Sequence, residues 1–311
     1  MKILLIGYNR IGDTILSTGL INFLLNKYKN ASFTIVTSSI SVSIFEDMPQ
    51  LEELIIVDKK KYSLHWLEIW LKTKSVKWDL IVDLRSSSLA NILSCKQKMI
   101  FKGNMHEHKL DQLKKFIGSV DEIKPKIWAN DKNYLDIYEK KNLKNNYICI
   151  APVSNFPGKD WSIKKYTSLL ENDLFKSYDI VILGATSDKK EIDNINQLVQ
   201  GSNQVIKNLI NDANLIETYF ILKKAALFLG SDSANMHMAV AANIPTIGLF
   251  GPTDEKLYGP LGKNNLSLRG DKSFSEIVNQ LDYKSGKIKS YLDNLSVTKV
   301  HKEIERILES K

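Results

Sequence analysis

The chain has 311 residues, 43% apolar and 25% charged, a composition that suits a soluble globular protein with room for two domains of about 150 residues and excludes a disordered or fibrous one. Cys95 and Cys149 lie far apart, which excludes a disulfide framework or a thiolate cluster, and no stretch reaches the roughly 20 apolar residues of a bilayer span. The formal net charge of +8 is uneven, with 23 Lys and Arg against 16 Asp and Glu in residues 1–145, and 20 against 19 in residues 146–311. A basic first half suits an acidic partner such as an anionic glycolipid, a phosphorylated surface or nucleic acid, while lysines spread over solvated faces would give the same count.

In chain order, Lys2 to Gly7 predicts a strand, its apolar run too short for the roughly 7–15-residue core of a signal peptide. A cytoplasmic location is therefore expected, with any membrane contact peripheral. Gly12 to Lys27 predicts a helix with Leu16, Leu20, Phe23, Leu24 and Leu25 on one side, and Phe33 to Thr37 a second strand, a βαβ opening. Leu54 to Val57 and Leu80 to Leu84 read as further strands with a Trp-bearing helix between them. Trp66 and Trp70, beside Lys59 to Lys61, Lys72, Lys74 and Lys77, suit either a helix packed on a sheet or a lipid headgroup layer. The lysines otherwise form no stripe with interleaved aromatics, so nucleic acid is not an expected partner. Met105-His106-Glu107-His108 has no companion cluster and reads as a surface loop, with no metal assigned.

The polar run from Lys140 to Asn146 marks a boundary between a first domain, 1–145, and a second, 146–290, followed by a C-terminal helix within 291–311. The second half predicts strand 147–151, helix 163–171, strand 179–183, helices 188–199 and 214–224, strand 226–229, helix 235–242 and strand 244–249. Val297 to Leu308, apolar at 297, 300, 304, 307 and 308, predicts an amphipathic helix that covers another element. This alternation predicts an α/β protein of two doubly wound, Rossmann-like parallel-sheet domains.

Such sheets bind ligands at the carboxyl edge of their strands. The turn Asn9-Arg10-Ile11-Gly12-Asp13 sits at one edge, but only Gly7 and Gly12 occur there, so the Gly-x-Gly-x-x-Gly of a dinucleotide site is absent. Asp13 there serves the helix dipole or faces a cleft as a base. Pro152 to Trp161 follows the first strand of the second half, and Lys159 on this glycine-containing loop either reaches a diphosphate or is simply solvated. In Asp232-Ser233-Ala234-Asn235-Met236-His237 a strand ends and an alanine-rich helix begins, so free amides point from the sheet edge towards an anion. Alanine at 234 implies helical geometry, since it does not freely adopt positive φ.

These motifs, with Phe250-Gly251-Pro252-Thr253 after the next strand, resemble in order the bacterial lipopolysaccharide heptosyltransferases of glycosyltransferase family 9. The likeness is strongest over 1–37, 147–166, 179–192 and 226–259, and weakest over 60–140. It implies a two-domain glycosyltransferase of the B-type fold, with acceptor on the first domain, donor on the second, the active site in the cleft between them and a last helix crossing back to the first domain. Gly12-Asp13-Thr14 matches the family's Gly-Asp, which makes Asp13 the base that takes the acceptor's proton. Lys159-Asp160-Trp161 matches its Lys-x-Trp, with Lys159 on the diphosphate, Trp161 in packing and Ser154 as a phosphate donor. Val153 stands where the family usually has Gly, as does Ala234. The amides of Ser233, Ala234 and Asn235 with the Ser233 hydroxyl would hold the diphosphate, Asp232 and His237 would sit near the sugar or brace the loop, and Asp188 would bond the ribose or cap its helix.

The resemblance implies inverting transfer of heptose from ADP-heptose to an anionic lipopolysaccharide core acceptor, with no metal and no cofactor; no Asp-x-Asp sequence occurs. The basic first domain would then meet acidic groups of the inner core at the cytoplasmic membrane surface. A relative using another nucleotide sugar or a protein acceptor, or a non-catalytic nucleotide-binding protein of the same fold, are the alternatives.

Overall fold

A computed structural model of the chain describes residues 1–130, 137–143, 146–279 and 290–310. The chain forms two compact units, Met1–Asp131 and Lys132–Lys311. In the first, strands β1 (Lys2–Ile6), β2 (Ser32–Thr37), β3 (Leu51–Ile56), β4 (Trp78–Asp83) and β5 (Cys95–Ile100) make one parallel sheet in the order β3-β2-β1-β4-β5. The central β1 is a continuous apolar run, as a strand covered on both faces must be, and sets Ile3 opposite both Phe33 and Leu80.

Helix α1 (Ile11–Lys27) joins β1 to β2 and is buried continuously from Thr14 to Ile21. The chain near residue 124 crosses it so closely that a Cβ at Gly19 would lie 2.8 Å from the Lys124 carbonyl oxygen, while the Lys126 amide donates to Thr18 Oγ1 at 2.8 Å. Helix α2 (Leu64–Thr73) leads back to β4, packing Ile69 with Leu4, Ile6 and Ile81 on one face of the sheet. The short α3 (Leu89–Ile92) precedes β5, and α4 (Lys109–Phe116) packs on α1.

The second unit opens with α5 (Ile137–Lys140). Its sheet comprises β6 (Tyr147–Ala151), β7 (Asp179–Ile182), β8 (Ile206–Asn208), β9 (Leu227–Ser231), β10 (Thr246–Phe250) and β11 (Asn265–Arg269), all parallel, in the order β11-β10-β9-β6-β7-β8. Its remaining helices are α6 (Ile163–Leu170), α7 (Lys189–Gly201), α8 (Leu215–Lys224), α9 (Ala234–Ala241), α10 (Glu255–Tyr258), α11 (Phe274–Val278) and α12 (Val297–Glu309). Helices α6, α7 and α12 share one apolar core with Ile148, Ile180, Leu229 and Leu249.

The observed elements follow the expected alternation, with one difference in how the chain is divided. Residues 137–143 group with the second unit, because Tyr138 donates to the Phe220 carbonyl at 2.6 Å and Lys141 pairs with Asp212 at 3.0 Å; the boundary read from the polar run lay 14 residues later than the observed one, at 145 against 131. Helix α12, expected to cover another element, places Val300, Ile304 and Ile307 in the core of the second unit, against α6.

Ile304 is fully buried, and deleting buried methylenes costs both transfer energy and a cavity. Ile304→Ala is expected to destabilise the second unit by about 2–5 kcal/mol, read as a lowered urea midpoint. A midpoint equal to wild type would remove α12 from that core.

Candidate functional site

Strand order locates a crevice in the second sheet. From β6 the chain moves outward through β7 and β8, then returns to the other side of β6 for β9, β10 and β11. Right-handed crossovers send the connections on the two sides to opposite faces, and between β6 and β9 the loops diverge at the carboxyl edge, where doubly wound sheets take ligands. Lys159 comes from the loop after β6 and Asp232 from the residue after β9.

The two side chains meet there. Lys159 Nζ donates to Asp232 Oδ2 at 2.8 Å and to the Asp232 carbonyl at 3.2 Å, and Ser231 Oγ donates to the Lys159 carbonyl at 2.7 Å. His237, one turn into α9, puts Nε2 3.6 Å from Asp232 Oδ1. Burial alone would raise the Asp232 carboxyl, but His237 and the Lys159 ammonium outweigh it and hold it well below the usual carboxylate range.

Ser233 is the N-cap of α9, extended at φ −151° and ψ 174°, and its side chain caps no amide. The first-turn amides at Ala234 and Asn235 have no intrahelical acceptor, and Ala234 begins the helix without positive φ. Among the described residues nothing hydrogen-bonds the buried Ser233 Oγ or the buried Thr253 Oγ1. An ammonium, two uncommitted hydroxyls and a helix N-terminus make a set of donors suited to an anion.

Arg269, at the end of β11, holds the loop that carries Thr253. Its guanidinium donates to the Gly251 and Thr253 carbonyls and to the Glu255 carboxylate, with Nε 3.0 Å from Glu255 Oε2. No motif in the sequence marks Arg269, whose partners lie 14 to 18 residues away.

The Lys159 loop is supported from below and from the C-terminal segment. Val153 is in the apolar core, with its Cγ2 3.0 Å from where a Cβ on Gly184 would stand, so its side chain packs beneath the loop. Trp161 is buried, as its packing role predicts, and donates through Nε1 to the Leu295 carbonyl at 3.0 Å. The Tyr291 amide donates to the Gly158 carbonyl at 3.0 Å, and Ser290 Oγ to the Asp160 carbonyl at 2.6 Å. Ser154 donates to the Phe156 carbonyl at 2.9 Å, so its hydroxyl closes the loop on itself. Asp188 caps α7, accepting from the Lys190 amide at 2.8 Å.

At the carboxyl edge of the first sheet, Asp13 lies in the uncapped first turn of α1, half-exposed. Lys109, the first residue of α4, stands over the rings of Tyr8 and Phe101 at 4.7 and 4.5 Å. Burial lowers its ammonium and Asp13 opposes the shift. A desolvated cation at a helix N-terminus works against the dipole, so Lys109 is held there at an electrostatic cost, and no sequence motif marks it. Arg85 is held similarly, 4.3 Å over Trp66, on a turn built by the buried Asp83, which accepts from the Arg85 and Ser87 amides at 2.8 and 2.7 Å. Of the His-Glu-His run, His108 caps α4 and Glu107 pairs with Lys115. Among the described residues no group of three or more His, Cys, Asp or Glu could hold a metal.

Asp160, next to Lys159, has a buried Oδ1 with no hydrogen-bond partner among the described residues, and burial pushes its carboxyl up to about 7 against the pull of Ser154 and Lys159. An unfolded aspartate titrates near 4, so the folded state holds an extra proton between those values and stability falls as pH rises from about 4 to about 7. Asp160→Asn is expected to match wild type near pH 4 and to exceed it above pH 7 by on the order of 2 kcal/mol. Chemical unfolding at the two pH values checks this; an unchanged difference would mean that Asp160 is ionised in the folded protein.

The sequence profile of glycosyltransferase family 9 (heptosyltransferase) matches residues 91–283. Lipopolysaccharide heptosyltransferase 3 of Escherichia coli is 24% identical over 292 residues, covering 81% of this chain and 84% of that protein. Lipooligosaccharide heptosyltransferase 2 of Campylobacter jejuni subsp. jejuni serotype O:2 is 25% identical over 272 residues, 83% of each. Among solved structures, the glycosyl transferase family 9 protein from Veillonella parvula DSM 2008 superposes with a TM-score of 0.79 at 18% identity, covering 100% of this chain and 97% of that one. E. coli heptosyltransferase WaaC with ADP gives 0.75 at 16% identity, covering 99% and 100%. The two parallel-sheet units are thus the glycosyltransferase B-type fold, and a profile match over most of the sequence makes the chain a member of glycosyltransferase family 9, the heptosyltransferase family, and a glycosyltransferase.

Proposed function

We propose that the enzyme moves heptose from ADP-heptose to a hydroxyl of an anionic lipopolysaccharide core acceptor, by inverting displacement and without a metal. The observation that carries the reading is the set of donors at the β6/β9 crevice, made of the Lys159 ammonium, the uncapped start of α9 and the Ser233 hydroxyl. It is supported by the relatives named for lipopolysaccharide heptose transfer and by structures of E. coli WaaC with ADP and with ADP-2-deoxy-2-fluoro heptose.

In this mechanism Asp13 takes the acceptor's hydroxyl proton as that oxygen bonds the anomeric carbon, and the bond from that carbon to the diphosphate oxygen breaks on the opposite side, inverting the centre. Charge accumulates on the departing ADP, and fixed donors at that point lower the barrier because they need no reorganisation. Lys159 and the amides at 233–235 fill that role, joined by the Ser154 hydroxyl once it leaves the Phe156 carbonyl. Asp232 anchors the ammonium, His237 braces Asp232, and Asp188 meets the ribose from its capping position. Lys109 and Arg85, which among the described residues pair with no carboxylate within salt-bridge reach, face acidic groups of the acceptor. An acceptor of this class is anchored in a bilayer, so the enzyme works as a peripheral protein at the cytoplasmic membrane surface.

Calorimetric titration with ADP and an assay of ADP release from ADP-heptose with a core acceptor test the reading; protein that does neither overturns it. Asp13→Asn is expected to bind ADP as wild type does while turnover falls at least about a hundredfold; wild-type turnover would remove Asp13 as the base. Lys159→Ala, with its circular dichroism unchanged, is expected to bind ADP at least about tenfold more weakly, and equal affinity would remove Lys159 from the diphosphate.

A further inference from the structure

Helix α2 turns one face to the core and leaves another uncovered. His65, Ile69 and Thr73 are buried, whereas Leu64, Leu67 and Leu71 are 54%, 52% and 52% exposed. Positions 64, 67 and 71 follow the i, i+3, i+7 spacing of a single helical face. Single exposed leucines are ordinary, but an apolar stripe is not. It continues into Tyr62, which is 93% exposed and which, with Ser63, holds φ at 54° and 59°, a left-handed pair that non-glycine residues adopt at an energetic cost.

The surround is basic. Between 59 and 77 the chain has six lysines, at 59, 60, 61, 72, 74 and 77, and one carboxylate, Glu68, which is paired with Lys60 at 2.6 Å and Lys72 at 3.6 Å. At the margin between this face and the core lie Trp66 and Trp70, half-buried, with Arg85 and Lys74 over their rings at 4.3 and 4.5 Å. Exposed leucines, indole rings at the boundary and flanking lysines are the pattern of a helix that lies in the plane of an anionic bilayer surface.

We propose that this face of α2, with the lysine-rich turn before it, docks on an anionic phospholipid bilayer. The turn 57–63 follows the carboxyl end of β3, and in a parallel sheet that is the edge at which β1 delivers Asp13. Docking through Tyr62 and Leu64 therefore holds the acceptor edge of the first sheet beside the lipid surface. The inference names the surface used by a lipid-anchored acceptor and in that purpose rests on the transferase reading, but the docking itself requires neither donor nor acceptor.

The test is flotation of the full chain with vesicles of phosphatidylcholine alone or mixed with phosphatidylglycerol, at low and high salt. Wild type is expected to float with the mixed vesicles, less so at high salt, and to stay behind with phosphatidylcholine. The double variant L67E/L71E and the triple variant K59E/K60E/K61E are each expected to partition at least about tenfold more weakly, with circular dichroism and ADP binding unchanged. Wild type that does not float, or variants that float as well as wild type, overturns the proposal. A dimer in solution that L67E/L71E dissolves, without vesicle binding, assigns the face to a second copy and overturns it too. Failure to float with ADP bound normally defeats the docking alone, whereas floating without ADP binding defeats the transferase reading alone.

Discussion

The handedness of parallel crossovers is the constraint on which the second unit depends. A right-handed connection that steps one way along the sheet must lie on one face, and a connection stepping the other way must lie on the other. Because β6 stands where the direction reverses, α6 and α9 leave their strands towards opposite faces, and a gap opens between them at the carboxyl edge, the place where doubly wound sheets take ligands. Lys159 and the start of α9 both owe their positions to that reversal. In the first unit β1 and β4 stand at the corresponding reversal, with Asp13 and the Asp83-built turn beside it.

The charges beside the gap are paired within the fold. Asp232 is buried, and a buried carboxylate needs charge-assisted partners to remain ionised. Lys159 and His237 supply them, so the ammonium is fixed before any ligand arrives and little side-chain entropy is left to lose on binding. The hydroxyls of Ser233 and Thr253 are the complementary feature, since neither has a hydrogen-bond partner among the described residues.

What could be read from the sequence follows physical visibility. Strands β1, β4, β6 and β9 are apolar runs that end at a polar turn, and the candidate motifs sit on those turns, so both the elements and the places of the motifs in the fold were legible. The missed strands β5, β8 and β11 lie at the two edges of one sheet or the outer edge of the other, where Cys95–Ile100 and Ile206–Asn208 carry lysines and keep no continuous apolar run. The capping of α7 by Asp188 was readable because an N-cap is a local pattern. Lys109, Arg85 and Arg269 were not, because their meaning lies in rings and carbonyls brought close only by the fold. The covered face of α12 was legible for the same local reason, whereas the element that covers it was not: amphipathicity tells that a face is covered, not by which element.

The support of the Lys159 loop by the C-terminal segment bears on the order of events during synthesis. Trp161 and Asp160 are held by Leu295 and Ser290, 134 and 130 residues further along the chain. A nascent chain can form β6, β9 and the first turn of α9 while these later residues are still inside the ribosome. The ammonium then has its sheet but not its buttress, and the Lys159 loop reaches its final geometry only after the segment before α12 has emerged and settled against it.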